Sequence, residues 1–97
     1  MPTYIMLIQV TGEGIENVKA GPQGVTAARE LFRQAGAEIK EFYLTMGRYD
    51  SVCIVEAPDT ETMARAALAL GSVGNMRSET LRAFTEEDFH RIIQALP

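Results

Sequence analysis

The residues of this 97-residue chain best equipped for chemistry crowd into one short stretch, Tyr43, Gly47, Arg48, Tyr49 and Asp50. A carboxylate next to a phenol can orient it or take its proton, a pairing suited to acid and base work on a bound ligand. Arg48 could hold an anion, and Gly47 supplies a backbone angle that other residues dislike. The plainer reading of Asp50 is a turn, with its carboxylate bonded to nearby backbone amides. His90, the single histidine, is a further candidate acid or base, but no obvious partner stands near it in sequence. Cys53 lies inside the apolar run Val52–Val55 and reads as a buried, inert thiol rather than a nucleophile. One histidine and one cysteine far apart do not make the closely spaced ligand set of a metal site, so neither metal nor cofactor is expected.

Other groups weigh less. Tyr4, Tyr43, Tyr49, Phe42 and Phe84 with Met6, Met46 and Met76 could line an adaptable pocket or be consumed by core and interface. Arg77, Glu79 and Arg82 could pair with Glu38, Lys40 or Glu41 of another chain or stand in solvent. Glu86, Glu87 and Asp88 compensate the dipole of a helix N-terminus. Gly14 and Gly21 to Gly24 lack the spacing and the lysine of a phosphate loop, which leaves nucleotide binding without support.

The elements that must position these groups follow from periodicity. Tyr4 to Val10 is apolar at both parities and closes on Thr11-Gly12, the mark of a strand buried on both faces. Gly12 to Lys19 reads as a loop with one helical turn. After Pro22, the residues Val25, Ala28, Leu31, Phe32 and Ala35 recur at helical spacing until Gly36 supplies a left-handed stop. Ala37 to Met46 alternates, with Ile39, Glu41, Tyr43 and Thr45 on one side and Lys40, Phe42, Leu44 and Met46 on the other, as in an edge strand. The break at Gly47–Asp50 and the apolar run Val52–Val55 complete a hairpin. Asp59 caps a helix carrying Met63, Ala66, Ala67 and Leu70, which Gly71 and Gly74 end. Asn75 to Phe84 is a second polar edge strand. Thr85 then caps an amphipathic helix with Phe89, Ile92, Ile93 and Leu96 on one stripe.

The order is βαββαβ plus a C-terminal helix, an α+β ferredoxin-like fold with a four-stranded antiparallel sheet in the order 4-1-3-2. The two strands expected at the centre are the two that are apolar at both parities. A chain of this size holds one domain, residues 1–97. Two helices cover one face of such a sheet, so the other face needs a cover, and a second copy packed sheet on sheet is the economical one. With 9 basic against 13 acidic side chains and no basic stripe, neither nucleic acid nor a membrane surface is an expected partner. The lone cysteine and the absence of a leader-like start make the cytoplasm the expected location.

The stretch Phe42–Asp50, with Val52 to Asp59 after it, resembles the signature of the GYD-domain family, Gly47, Tyr49 and Asp50 supplying its three letters. Gly71 to Phe84, and Gly14 with Asn17-Val18-Lys19 before Pro22, extend the resemblance over essentially the whole chain. It implies the dimeric α/β-barrel superfamily, home to cofactor-free oxygenases, muconolactone-type isomerases and ligand-sensing modules. One scaffold hosts unrelated chemistries, so the fold alone does not assign an activity. Three functions stay open: a homodimer that binds or senses a small molecule, favoured by the lack of paired catalytic groups; a cofactor-independent oxygenase or isomerase using Tyr49, Asp50 and His90; and an oligomeric scaffold without ligand.

Overall fold

The computed structural model describes residues 1–12, 18–73 and 76–97. Strand β1 (Thr3–Val10) leads through a 3-10 turn (Val18–Ala20) into helix α1 (Gly21–Ala35), strands β2 (Glu38–Leu44) and β3 (Ser51–Glu56), helix α2 (Thr60–Ser72), strand β4 (Met76–Ala83) and helix α3 (Glu86–Gln94). The sheet runs β2-β3-β1-β4, and each neighbouring pair is antiparallel. The ferredoxin-like order expected from the sequence is therefore the observed one. The expected loop at Glu13–Asn17 and the helix stop at Gly74 fall outside the described residues.

Local chemistry explains most boundaries. Gly36 stops α1 in the left-handed region (φ +99°), and the Ala37 amide donates back to the Phe32 carbonyl at 2.9 Å. Asp59 caps α2 by accepting from the Thr62 amide at 2.7 Å. Thr85 and Asp88 form a reciprocal capping box at the start of α3, both bonds 3.1 Å. One boundary and one register differ from expectation. Gly71 lies inside α2, which continues to Ser72, because helix context overrides the modest cost of one glycine. The alternation read along β2 is broken by an irregularity between Ile39 and Glu41, so that Ile39 pairs with Val55 and Phe42 with Cys53. The extra residue, Lys40, moves Phe42 to the face that Ile39 already occupies and leaves Glu41 and Tyr43 on the other.

Both helices of the βαββαβ unit lie on one face of the sheet. There Phe32 and Met63 pack against Met6 and Val55, with Tyr4, Ile8, Ile39 and Cys53 around them, all buried. Every second residue of β1 and β3 points away from this core. The helix α3 contributes nothing to it: none of its residues is buried, Phe89, Ile92 and Ile93 stand open to solvent, and Leu96, expected on the same stripe, lies exposed beyond the helix end at Gln94.

Candidate functional site

The connection between β2 and β3 carries Gly47, Arg48, Tyr49 and Asp50, and hydrogen bonds fix it to the end of β1. The Thr45 amide donates to the Asp50 carbonyl (3.0 Å), and the Thr45 hydroxyl to the Tyr49 carbonyl (2.7 Å). Gly47 turns the chain at φ +116°, a conformation suited to glycine. The Asp50 amide donates to the Ile8 carbonyl (2.8 Å), and Asp50 Oδ2 accepts from the Val10 amide (2.7 Å). Gln9 Nε2 reaches the Arg48 carbonyl at 2.8 Å. Asp50 thus extends the β1–β3 ladder one step beyond Ser51.

Tyr49 OH donates to Glu79 Oε2 on β4 at 2.6 Å, and the Arg48 guanidinium lies 5.9 Å from the Tyr49 ring centroid. The bond to Glu79, helped by burial and by the Glu79 charge and opposed by Arg48, raises the phenol's pKa. Tyr43, half-exposed on β2, donates to Glu41, and that bond raises its pKa in the same way. Both phenols are held as donors rather than poised to lose a proton. The structure brings Arg48, Tyr49 and Asp50 together at one end of the sheet and sets Tyr43 on the adjoining strand. His90 stands apart on α3, its Nε2 3.9 Å from Glu86 Oε2 and its ring beside Phe89. Cys53 is buried, and desolvation raises its thiol pKa. Among the described residues no group of three or more His, Cys, Asp or Glu is placed to hold a metal ion, and no helix is long and apolar enough to cross a membrane.

Two larger features lie elsewhere. The first is the face of the sheet turned away from α1 and α2. In register, Ile5 sits between Ile54 and Leu81, Leu7 between Val52 and Glu79, and Val52 beside Tyr43. An apolar centre is thereby bordered by polar pairs: Tyr43 with Glu41, Tyr49 with Glu79, and Gln9 with the Arg48 carbonyl.

The second feature is a groove of about 250 Å³ on the helix side, between α2 and the outer strand β4. Tyr4, Thr60, Met63, Ala64, Ala67, Thr80 and Arg82 line it, and Tyr49, Asp50 and His90 do not. The Arg82 guanidinium lies 4.4 Å from the Phe84 ring centroid and 5.5 Å from that of Tyr4, and Nη1 donates to the Thr3 and Ala83 carbonyls. Sequence reasoning treated Arg82 as a paired or solvated edge residue and missed this groove. Its only sequence signal is parity, Thr80 and Arg82 sharing a face of β4 while residues 60, 63, 64 and 67 share a face of α2. The set of aromatic and methionine side chains considered for a pocket disperses: Tyr4 and Met6 enter the core, while Met46 is fully exposed. A wider hollow of about 520 Å³ near Met1 is lined by Arg29 and Arg33, but Arg29 donates to the Ile39 carbonyl and Arg33 is paired with Glu30.

Comparison with known proteins agrees with this fold. A protein of Thermus thermophilus named "Glutamine synthetase and cystathionine beta-lyase binding protein" is 38% identical over 89 residues, which span 91% of this chain and 94% of that relative. A solved protein, also from Thermus thermophilus, superposes with a TM-score of 0.60 at 28% identity, over 88% of this chain and 95% of that one. MtbAldR superposes with a TM-score of 0.69 at 13% identity, over 88% of this chain and 52% of that one, and shares the fold. The family model described as "GYD domain" matches residues 4–93, and with the Gly47-Arg48-Tyr49-Asp50 turn in place the chain belongs to the GYD domain family.

Proposed function

We propose that this chain is a binding module that works as a symmetric pair, two copies packed through their bare sheet faces and the pair presenting its outer surface to partner enzymes. The composition of that face carries the reading. Ile5, Leu7, Val52, Ile54 and Leu81 form an apolar centre within a polar margin, the anatomy of a protein interface. A face packed on its own copy about a two-fold axis needs no second complementary surface. The open stripe of α3, joined to β4 by Phe84 and Thr85, supplies further apolar area for the second copy to cover.

Binding rather than catalysis is supported by how the candidate groups are spent. The Asp50 carboxylate is engaged by the Val10 amide, the Tyr49 hydroxyl by Glu79, and His90 lies on a different element. The partner class is supported by the relative named for binding glutamine synthetase and cystathionine beta-lyase. A cytoplasmic location goes with that class and with a lone, buried thiol. A second reading, a small-molecule ligand, is favoured by the groove between α2 and β4.

Glutamine synthetase and cystathionine beta-lyase from the chain's own source, immobilised one at a time, test the proposal against wild type and Ile54→Glu. Saturable binding of the wild type, weakened in the variant, is the expected result. Failure of both enzymes to bind at micromolar concentrations would overturn the partner class.

A further inference from the structure

We propose that the groove between α2 and β4 binds a small carboxylate with a short apolar body, the carboxylate lying against Arg82. The proposal rests on the small-molecule reading and requires neither self-pairing nor an enzyme partner. The groove lies on the helix side of the sheet, so a pair joined through the opposite faces leaves it open.

The walls supply the apolar part. Met63, Ala64 and Ala67 face the groove from α2, and the Tyr4 ring faces it from β1. The two alanines leave space that longer side chains would fill. A volume of about 250 Å³ falls just under the range of roughly 300–1,000 Å³ usual for drug-sized ligands, which limits the occupant to a short body.

The polar part is specific in sign. Among the described residues, Arg82 is the one charged group in the lining, and no carboxylate joins it there. Its guanidinium is already oriented: it lies close to the Phe84 ring, and Nη1 is tied to the carbonyls of Thr3 and Ala83. Those bonds use Nη1 alone, whereas the edge formed by Nε and Nη2 has the spacing of a carboxylate fork. The Tyr4 and Thr60 hydroxyls are 3.0 Å apart, and because one donates to the other, the second keeps its proton for an oxygen of the ligand. A zwitterionic amino acid would bring an ammonium into a lining with no anion to receive it. The fitting class is an unsubstituted, 2-oxo or 2-hydroxy short-chain acid.

The test is an amide NMR titration of the full chain with butyrate, hexanoate and 4-methyl-2-oxopentanoate, beside hexan-1-ol and L-leucine as counterparts with the wrong head group. At least one acid is expected to shift the amides of Ala64, Ala67, Thr80 and Arg82, with the alcohol and the amino acid at least about tenfold weaker. Arg82→Gln should weaken the best acid by roughly ten- to a hundredfold, the usual loss for a charge-assisted hydrogen-bonding partner. Ala64→Leu, at an exposed position, should fill the groove and abolish binding with the melting temperature unchanged. The proposal is overturned if no acid shifts these amides, if hexan-1-ol or L-leucine binds as well as the acids, or if Ala64→Leu binds like wild type. Enzyme binding and pair formation are read separately, so failure here leaves the proposed binding function standing.

Discussion

Asp50→Ala removes the acceptor that Oδ2 offers to the Val10 amide at 2.7 Å, at the point where β1 runs past the end of β3. A hydrogen bond to a charged group contributes roughly 1.5–3 kcal/mol when sequestered. Asp50 is exposed, and a bared Val10 amide can turn to water, which brings the expected loss to about 1 kcal/mol. For a domain of this size that is a fall in melting temperature of roughly 4–8 °C. Asp50→Asn keeps an oxygen in position without the charge and should fall between the variant and wild type. The assay is thermal unfolding by circular dichroism at one fixed protein concentration, since the melting temperature of a self-associating protein moves with concentration. Enzyme binding and carboxylate binding, measured in parallel, should stay at wild-type levels. If Asp50→Ala melts no lower than wild type and loses binding, the carboxylate serves a ligand rather than the fold, and the turn reading fails.

Phe32→Ala empties the centre of the core and should cost about 3–5 kcal/mol in urea unfolding, a large part of the stability of a small domain. A loss under about 1 kcal/mol would mean that α1 does not seat there. Cys53, enclosed and with its thiolate disfavoured by burial, should resist iodoacetamide in the native protein and react quickly in urea. Rapid native labelling would contradict its place on the core face. Asp59 is held below the usual carboxylate range by the Thr62 amide, and Asp88 by the Arg91 side chain. Because the folded values lie below the unfolded ones, their stabilisation is complete above the ordinary aspartate value of 3.8 and drains away as pH falls through the lower folded values. The urea midpoint should decline on acidification below that value, and Asp59→Asn with Asp88→Asn should flatten the decline.

The fold was legible wherever the controlling signal is local. β1 and β3 announce their central positions by being apolar at both parities. The caps at Asp59 and Thr85 and the stop at Gly36 each need only neighbouring residues. The irregularity at Lys40 was not legible, because it exists only in the pairing of β2 with β3 and switches the face of Phe42. The candidate site divides along the same line. That the Asp50 carboxylate would accept from backbone followed from residue type, whereas the partners themselves did not: the amide Asp50 takes belongs to Val10, 40 positions away on β1, and the partner of Tyr49 lies 30 positions away on β4. Arg82 gave no local sign of its setting, since the groove depends on how α2 lies across the outer strand, and no periodicity along either element reports their separation.

Sedimentation equilibrium of the wild-type chain beside Ile54→Glu tests self-pairing most directly. Ile54 adjoins Ile5 in the middle of the bare face, and in a two-fold pair the substitution buries two glutamates. The desolvation cost of several kcal/mol per ion amounts to a loss of about a hundredfold or more in affinity. The expected result is a wild type at twice the chain mass of 10.7 kDa and a folded variant at the chain mass itself. A wild type that stays at the single-chain mass, or a variant that remains paired, would contradict the sheet-on-sheet arrangement.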